Sequence, residues 1–127
     1  KLREAIERNN ANEAAVKSDL KVFVSAAESF RLGQDLSTYP ASIENLVKPA
    51  SGPGYLDASW LQGTKHGYHF TFASTPSTFS VLAIPSEAHL SGTNTYCVDQ
   101  TGVLVASVNG GEAPKAGPDG CLGGSPV

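Results

Sequence analysis

The sequence predicts an α+β fold: a long N-terminal α-helix packed on a four-stranded antiparallel sheet, with a disulfide-bounded C-terminal loop. Three observations carry this. Residues 1–32 contain neither Gly nor Pro and repeat apolar residues at helical spacing. Residues 68–108 hold four short runs of β-type residues separated by turn residues. From residue 109 the chain is Gly- and Pro-rich, has no period, and carries Cys121, which pairs on paper with Cys97. The 127 residues are read as one domain.

The helix comes first. Leu2, Ile6, Val16, Leu20, Phe23, Ala27 and Phe30 fall on one stripe. Asn9 and Glu13 lie on the same stripe but are polar, so the apolar face is strong only from Val16 onward. Val16, Leu20, Phe23, Ala27 and Phe30 are expected to face the sheet. Leu2 and Ile6 are expected on a first half that projects, for which the simplest reason is a partner. Glu4 with Arg8, and Glu13 with Lys17, have the i,i+4 spacing that supports a helix slightly. Gly33 is a stop signal. A helix of this length runs about 48 Å at 1.5 Å per residue, more than so small a domain can cover.

Residues 33–67 read as a connection. Within it Tyr39-Pro40 sets a turn, Ser42 caps a short helix, and Ile43, Leu46 and Val47 supply its contacts. Lys48 to Gly54 is a loop by composition. In the sheet, Tyr68, Phe70 and Phe72 alternate with His69 and Thr71, and Phe79, Val81 and Ala83 alternate with Ser80 and Leu82. Ser74-Thr75-Pro76-Ser77 joins these runs as a hairpin turn, and Pro85 ends the second. A third strand, Thr95 to Asp99, and a fourth, Val103 to Val108, flank Gln100-Thr101-Gly102, where Gly102 suits a left-handed position. Short turns throughout give a meander whose apolar face the helix covers. The tail, 109–127, has only Cys121 to tie it down.

Composition narrows the function. Nine basic against 12 acidic residues leave a net charge of −3, which gives no electrostatic reason to bind nucleic acid or an anionic membrane. The aromatic stripe Tyr68, Phe70 and Phe72 therefore reads as core-facing and not as a platform for stacked bases. The helical stripe covers too few repeats for a free coiled coil. Two cysteines in a small Gly-rich domain read as one disulfide of an oxidising compartment; two free thiols is the competing reading. No apolar run reaches the roughly 20 residues of a membrane helix. No signal peptide is evident, and the start at Lys1, without Met, is expected to be truncated or processed.

Catalytic and metal chemistry find little support. His66 and His69 are three apart, on opposite faces if both lie in a strand, and only His89 could join them. Asp99, Glu112 and Asp119 could offer oxygens to calcium; without EF-hand spacing, ordinary turn acids are the favoured reading. The chain has no P-loop, no G-x-S-x-G and no H-E-x-x-H. Hence no catalytic residue, no metal and no cofactor are expected.

Several segments taken in order resemble type IV pilins. Arg8 to Leu20 (RNNANEAAVKSDL) looks like the middle of a pilin helix. Gly54-Tyr55-Leu56-Asp57, then Leu61 to Phe72 (LQGTKHGYHFTF), is similar to a segment common in pilin-like subunits, and Cys97 to Val103 (CVDQTGV) resembles their last hairpin. The resemblance spans 11–104. It implies a prepilin with a leader, cleaved by a prepilin peptidase and methylated at the new N-terminus. It also implies an apolar segment before Lys1 that anchors the subunit in the inner membrane and then packs in the filament core. The implied partners are copies of itself, other pilins and an inner-membrane assembly platform driven by a cytosolic ATPase. The implied location is an extracellular filament or the periplasm, and the implied roles are adhesion, motility or DNA uptake. Residues 109–120 are then expected to form an outward-facing loop. Pseudopilins of type II secretion share Tyr39-Pro40 and Leu46-Val47 with this chain. They usually add an Asp-Pro-Trp-Gly stretch and an acidic calcium loop, whereas here Trp60 sits in Ala-Ser-Trp-Leu. A small secreted binding module is the reading from another class.

Overall fold

The computed structural model describes residues 2–33, 37–49, 52–87, 91–107, 113–117 and 119–127. A single long helix, α1 (Leu2–Gly33), lies on one face of an antiparallel sheet. A short helix α2 (Ile43–Val47) and a 3-10 turn (Ala58–Gln62) follow it. The main strands are β1 (Thr64–Lys65), β2 (Tyr68–Ser74), β3 (Phe79–Pro85), β4 (Tyr96–Asp99) and β5 (Leu104–Ala106). A small hairpin, β6 (Lys115–Gly117) with β7 (Gly120–Leu122), forms a sheet of its own, and β8 (Ser125–Pro126) closes the chain.

The main sheet has six strands in the order β1-β2-β3-β4-β5-β8, not four. Its four central strands form the expected meander. The additions are two-residue edges, too short to show a period-2 pattern. β1 arises because His66 and Gly67 both adopt positive φ, 52° and 77°, as a two-residue hairpin turn requires. β8 arises because the tail returns: Ala106 pairs with Ser125, and Val105 with Pro126. Proline fits at such an edge, where no ladder donor is missed. The third strand starts at Tyr96 instead of Thr95, and the fourth spans 104–106 instead of 103–108, with Val108 outside the described residues.

Register brings the apolar side chains into cross-strand rows. Phe72, Val81, Val98 and Leu104 form one row, and Phe70, Ala83, Tyr96 and Ala106 the next. The helix lies over these rows with Val16, Leu20, Phe23, Ala27 and Phe30 buried. Phe23 is the hub, its ring 5.3 Å from Trp60, 5.4 Å from Phe72 and 6.1 Å from Phe79. Trp60 is delivered by the 3-10 turn, capped by Asp57 through Ser59 N–H, within the stretch 33–67 expected to be a connection. Ser42 caps α2 as expected, accepting from Asn45 N at 3.3 Å. At the far end of α1, the Tyr39 hydroxyl donates to Glu28 and Arg31 pairs with the same carboxylate at 3.0 Å, fixing the helix end to the connection.

One expectation is narrowed. The polar part of the α1 stripe does not project as a whole. Asn9 is only 7% exposed, and Asn9, Asn12 and Glu13 are all hydrogen-bonded to the segment that leads into β4. Glu13 bonds to this segment, and near the N-terminus Arg3 pairs with Glu7 at 3.4 Å. Ile6, by contrast, is 53% exposed, together with Arg3, Glu4, Glu7 and Arg8.

Candidate functional site

Two surfaces stand out: the clasped C-terminal hairpin and the open turn of α1. The hairpin packs on the outer face of β3 and β4, opposite the helix, so the fold has three layers at that point. The outer-face positions of these strands are Ser80, Leu82, Cys97 and Asp99. Cys97 and Cys121 form a disulfide with an S–S distance of 1.98 Å and a sequence separation of 24.

Polar contacts reinforce the bond. The Ser80 hydroxyl donates to the Gly117 carbonyl at 2.7 Å, which explains how a serine becomes fully buried on the face turned from the helix. Asp99 receives the Cys121 N–H on Oδ2 at 2.9 Å, and on Oδ1 the N–H and hydroxyl of Thr101 at 3.0 and 2.6 Å. Burial works against the charged form of Asp99, but these hydrogen bonds outweigh it and hold the carboxyl below its ordinary value. Gln100 bridges the same region, donating to the Asp119 carbonyl at 3.3 Å while accepting from Phe79 N at 3.2 Å. Gly120, at φ 137°, sits where a Cβ would lie 2.8 Å from Asp99 Oδ2, so the close approach of the two strands depends on glycine there.

The expectation that Cys121 alone ties the tail down is therefore corrected. The β5–β8 pairing anchors it independently, with Val127 N–H donating to the Leu104 carbonyl at 2.9 Å. What the hairpin shows to solvent is Lys115, Ala116, Asp119 and Leu122, the last 72% exposed. Residues 109–112 and 118 of the expected outward loop lie outside the described residues.

The calcium candidates part company. Asp99 spends its oxygens on the turn and the hairpin, while Asp119 is exposed and contributes its carbonyl to Gln100. Glu112 lies outside the described residues. Among those described, no group of three or more His, Cys, Asp or Glu side chains converges. His66 occupies the β1–β2 turn and meets Asp19 of α1 at 2.6 Å, whereas His69, on β2, meets Thr64 at 2.8 Å. His89 falls outside the described residues. The aromatic stripe Tyr68, Phe70, Phe72 faces the helix. Burial raises the phenol of Tyr68, and that of Tyr96, above the usual value.

On α1, Ile6 offers an apolar side chain to solvent; Leu2 is helical, but its side chain is not among those described. A groove of about 340 Å³ runs between α1 and the last strands, lined by Leu20, Lys21, Val24, Val103 and Val127 among others. No described helix is long and apolar enough to cross a membrane. No protein-family model, curated protein or solved structure matches the chain.

Proposed function

We propose that this chain is the globular part of a type IV pilin-like filament subunit, a structural building block and not an enzyme. One observation carries the reading. A 32-residue N-terminal helix is buried on an antiparallel sheet along its second half, while its first turn stands clear with Ile6 exposed. On this reading the exposed Ile6 packs against a neighbouring subunit. The disulfide-clasped hairpin on the opposite side of the sheet supplies a surface that remains accessible when helices are gathered at a filament axis. The partners on this reading are copies of the same chain and other pilins, the inner-membrane assembly platform, and the membrane itself through an apolar segment preceding Lys1.

The test is to read the gene upstream of Lys1 and express the full open reading frame in a piliated host. An apolar stretch of about 20 residues continuing the helix, and the protein recovered in sheared filaments seen by electron microscopy, are the expected results. Ile6→Ala should lower filament yield without lowering the protein level. Recovery of the protein only as a free secreted monomer would overturn the reading in favour of a binding module.

A further inference from the structure

Two kinds of bonding hold α1 to the sheet, and they meet at Val16. From Val16 to Phe30 the contact is a closed apolar one, with Asp19 adding polar ties to Lys65 and His66 at its edge. Before Val16 it is polar, and it goes to one segment. Asn9 Nδ2 donates to Thr93 Oγ1 at 3.1 Å, and Asn12 Nδ2 to the Ser91 carbonyl at 2.9 Å. Glu13 Oε1 accepts from Asn94 N at 3.0 Å and from the Tyr96 hydroxyl at 3.2 Å.

The receiving segment is itself seated firmly. Tyr68 donates its hydroxyl to the Asn94 carbonyl at 2.7 Å, and Gly92 lies so close to the Tyr68 ring that a Cβ there would be 2.2 Å from its oxygen. Thr95 and Ser107 exchange two hydrogen bonds, at 3.0 and 3.1 Å, which fix the other end. The β1–β2 turn closes in as well: a Cβ on Gly67 would stand 2.7 Å from Ser91 and 2.8 Å from Asn12. The segment thus has bonds of its own that do not depend on the helix.

The two halves differ in what separation costs. Pulling Phe23 or Leu20 off the sheet exposes apolar area with nothing to replace the contact. Pulling Asn9, Asn12 and Glu13 off exchanges protein hydrogen bonds for water ones at a small net cost. We infer that Asn9, Asn12 and Glu13 form a polar catch from which the first half of α1 parts from the sheet and unwinds as one unit, as far as Val16, while the core stays closed. Released, the sheet side presents the Ser91 carbonyl, the Asn94 N–H and the Thr93 and Tyr96 hydroxyls, and the helix end is free to follow a partner. The device is independent of the filament reading and stands or falls separately from it.

Native-state hydrogen exchange on the 127-residue chain in low denaturant tests it. Amides of 6–14 are expected to share one opening, at least tenfold more populated than that of 20–30 and 79–84, with a weak denaturant dependence. The Asn94 amide, which donates to Glu13, is expected to share that opening. Protection of Asn94 while 6–14 exchange would mean simple end fraying and would overturn the proposal, as would one common opening for all four segments. Glu13→Ala should raise the population of the opening about tenfold, the effect of losing one or two ordinary hydrogen bonds, and leave 20–30 unchanged. An equal rise everywhere counts against the catch. Should that variant fail to fold, the wild-type exchange pattern decides alone.

Discussion

Asp99 and Cys121 are joined through the main chain: the carboxylate takes the Cys121 N–H at 2.9 Å, two residues along β4 from Cys97, which holds the Cys121 sulfur. Covalent and hydrogen-bonded fastenings of the hairpin thus fall on the same strand, and each can be released separately.

The hydrogen-bonded one responds to acid, because its acceptor is a carboxylate. The Asp99 carboxyl is depressed in the folded state, so its stabilising contribution is present above the unfolded value of about 3.9. It is lost as pH falls through the lower folded value. Thermal melts between roughly pH 2 and 6 should show an acid limb that Asp99→Asn flattens. An unchanged limb in the variant would show that other carboxylates set it.

Removing the covalent fastening should cost more. A disulfide closing a loop of this size contributes about 3–4 kcal/mol in the chain-entropy model. A Cys97→Ser, Cys121→Ser double variant should lose about that much in urea denaturation, with far-UV circular dichroism unchanged. Intact mass before and after reduction checks the bond itself, by the gain of two hydrogens.

Phe23 and Ile6 should separate cleanly. Phe23→Ala empties the hub between Trp60, Phe72 and Phe79, at about 3–5 kcal/mol. Ile6→Ala removes a side chain that is already in solvent, and chemical denaturation of this chain should register no change. Equal losses would refute the division of the helix into a buried and an open part.

Gly92→Ala should destabilise by about 1–3 kcal/mol through overpacking. The added Cβ would meet not only the Tyr68 oxygen but two ring carbons at 2.4 Å, so adding Tyr68→Phe should not restore stability. Full rescue by the second change would mean that the hydroxyl alone makes the clash.

The helix face from Val16 to Phe30 was legible because its period is carried by large apolar residues without interruption. The two central hairpins were legible because alternating aromatics and turn residues mark them locally. Asn9 and Glu13 read as defects in the stripe, since their partners Thr93 and Asn94 are 84 and 81 residues away and no local pattern announces them. The burial of Ser80, on the face of β3 turned from the helix, was not legible, because the hairpin that covers it comes from 37 residues downstream. His66-Gly67 was the one overlooked local signal: a histidine before a glycine, both in left-handed conformation, makes the turn that creates β1. Of the candidate site, the cysteine pair was legible, while the roles of Asp99 and Gln100 depend on where the returning chain crosses β4.

Ala106 and Ser125 are register partners, so the chain leaves the sheet and re-enters it at neighbouring points. Everything between them is a cassette with its two mouths side by side. Ser107, Gly117, Gly120 and Cys121 are fixed points within it, bonded to or packed on the meander, while the closure of the cassette as a whole lies in the β5–β8 pair. An engineer could splice a foreign segment between these fixed points and keep the same scaffold.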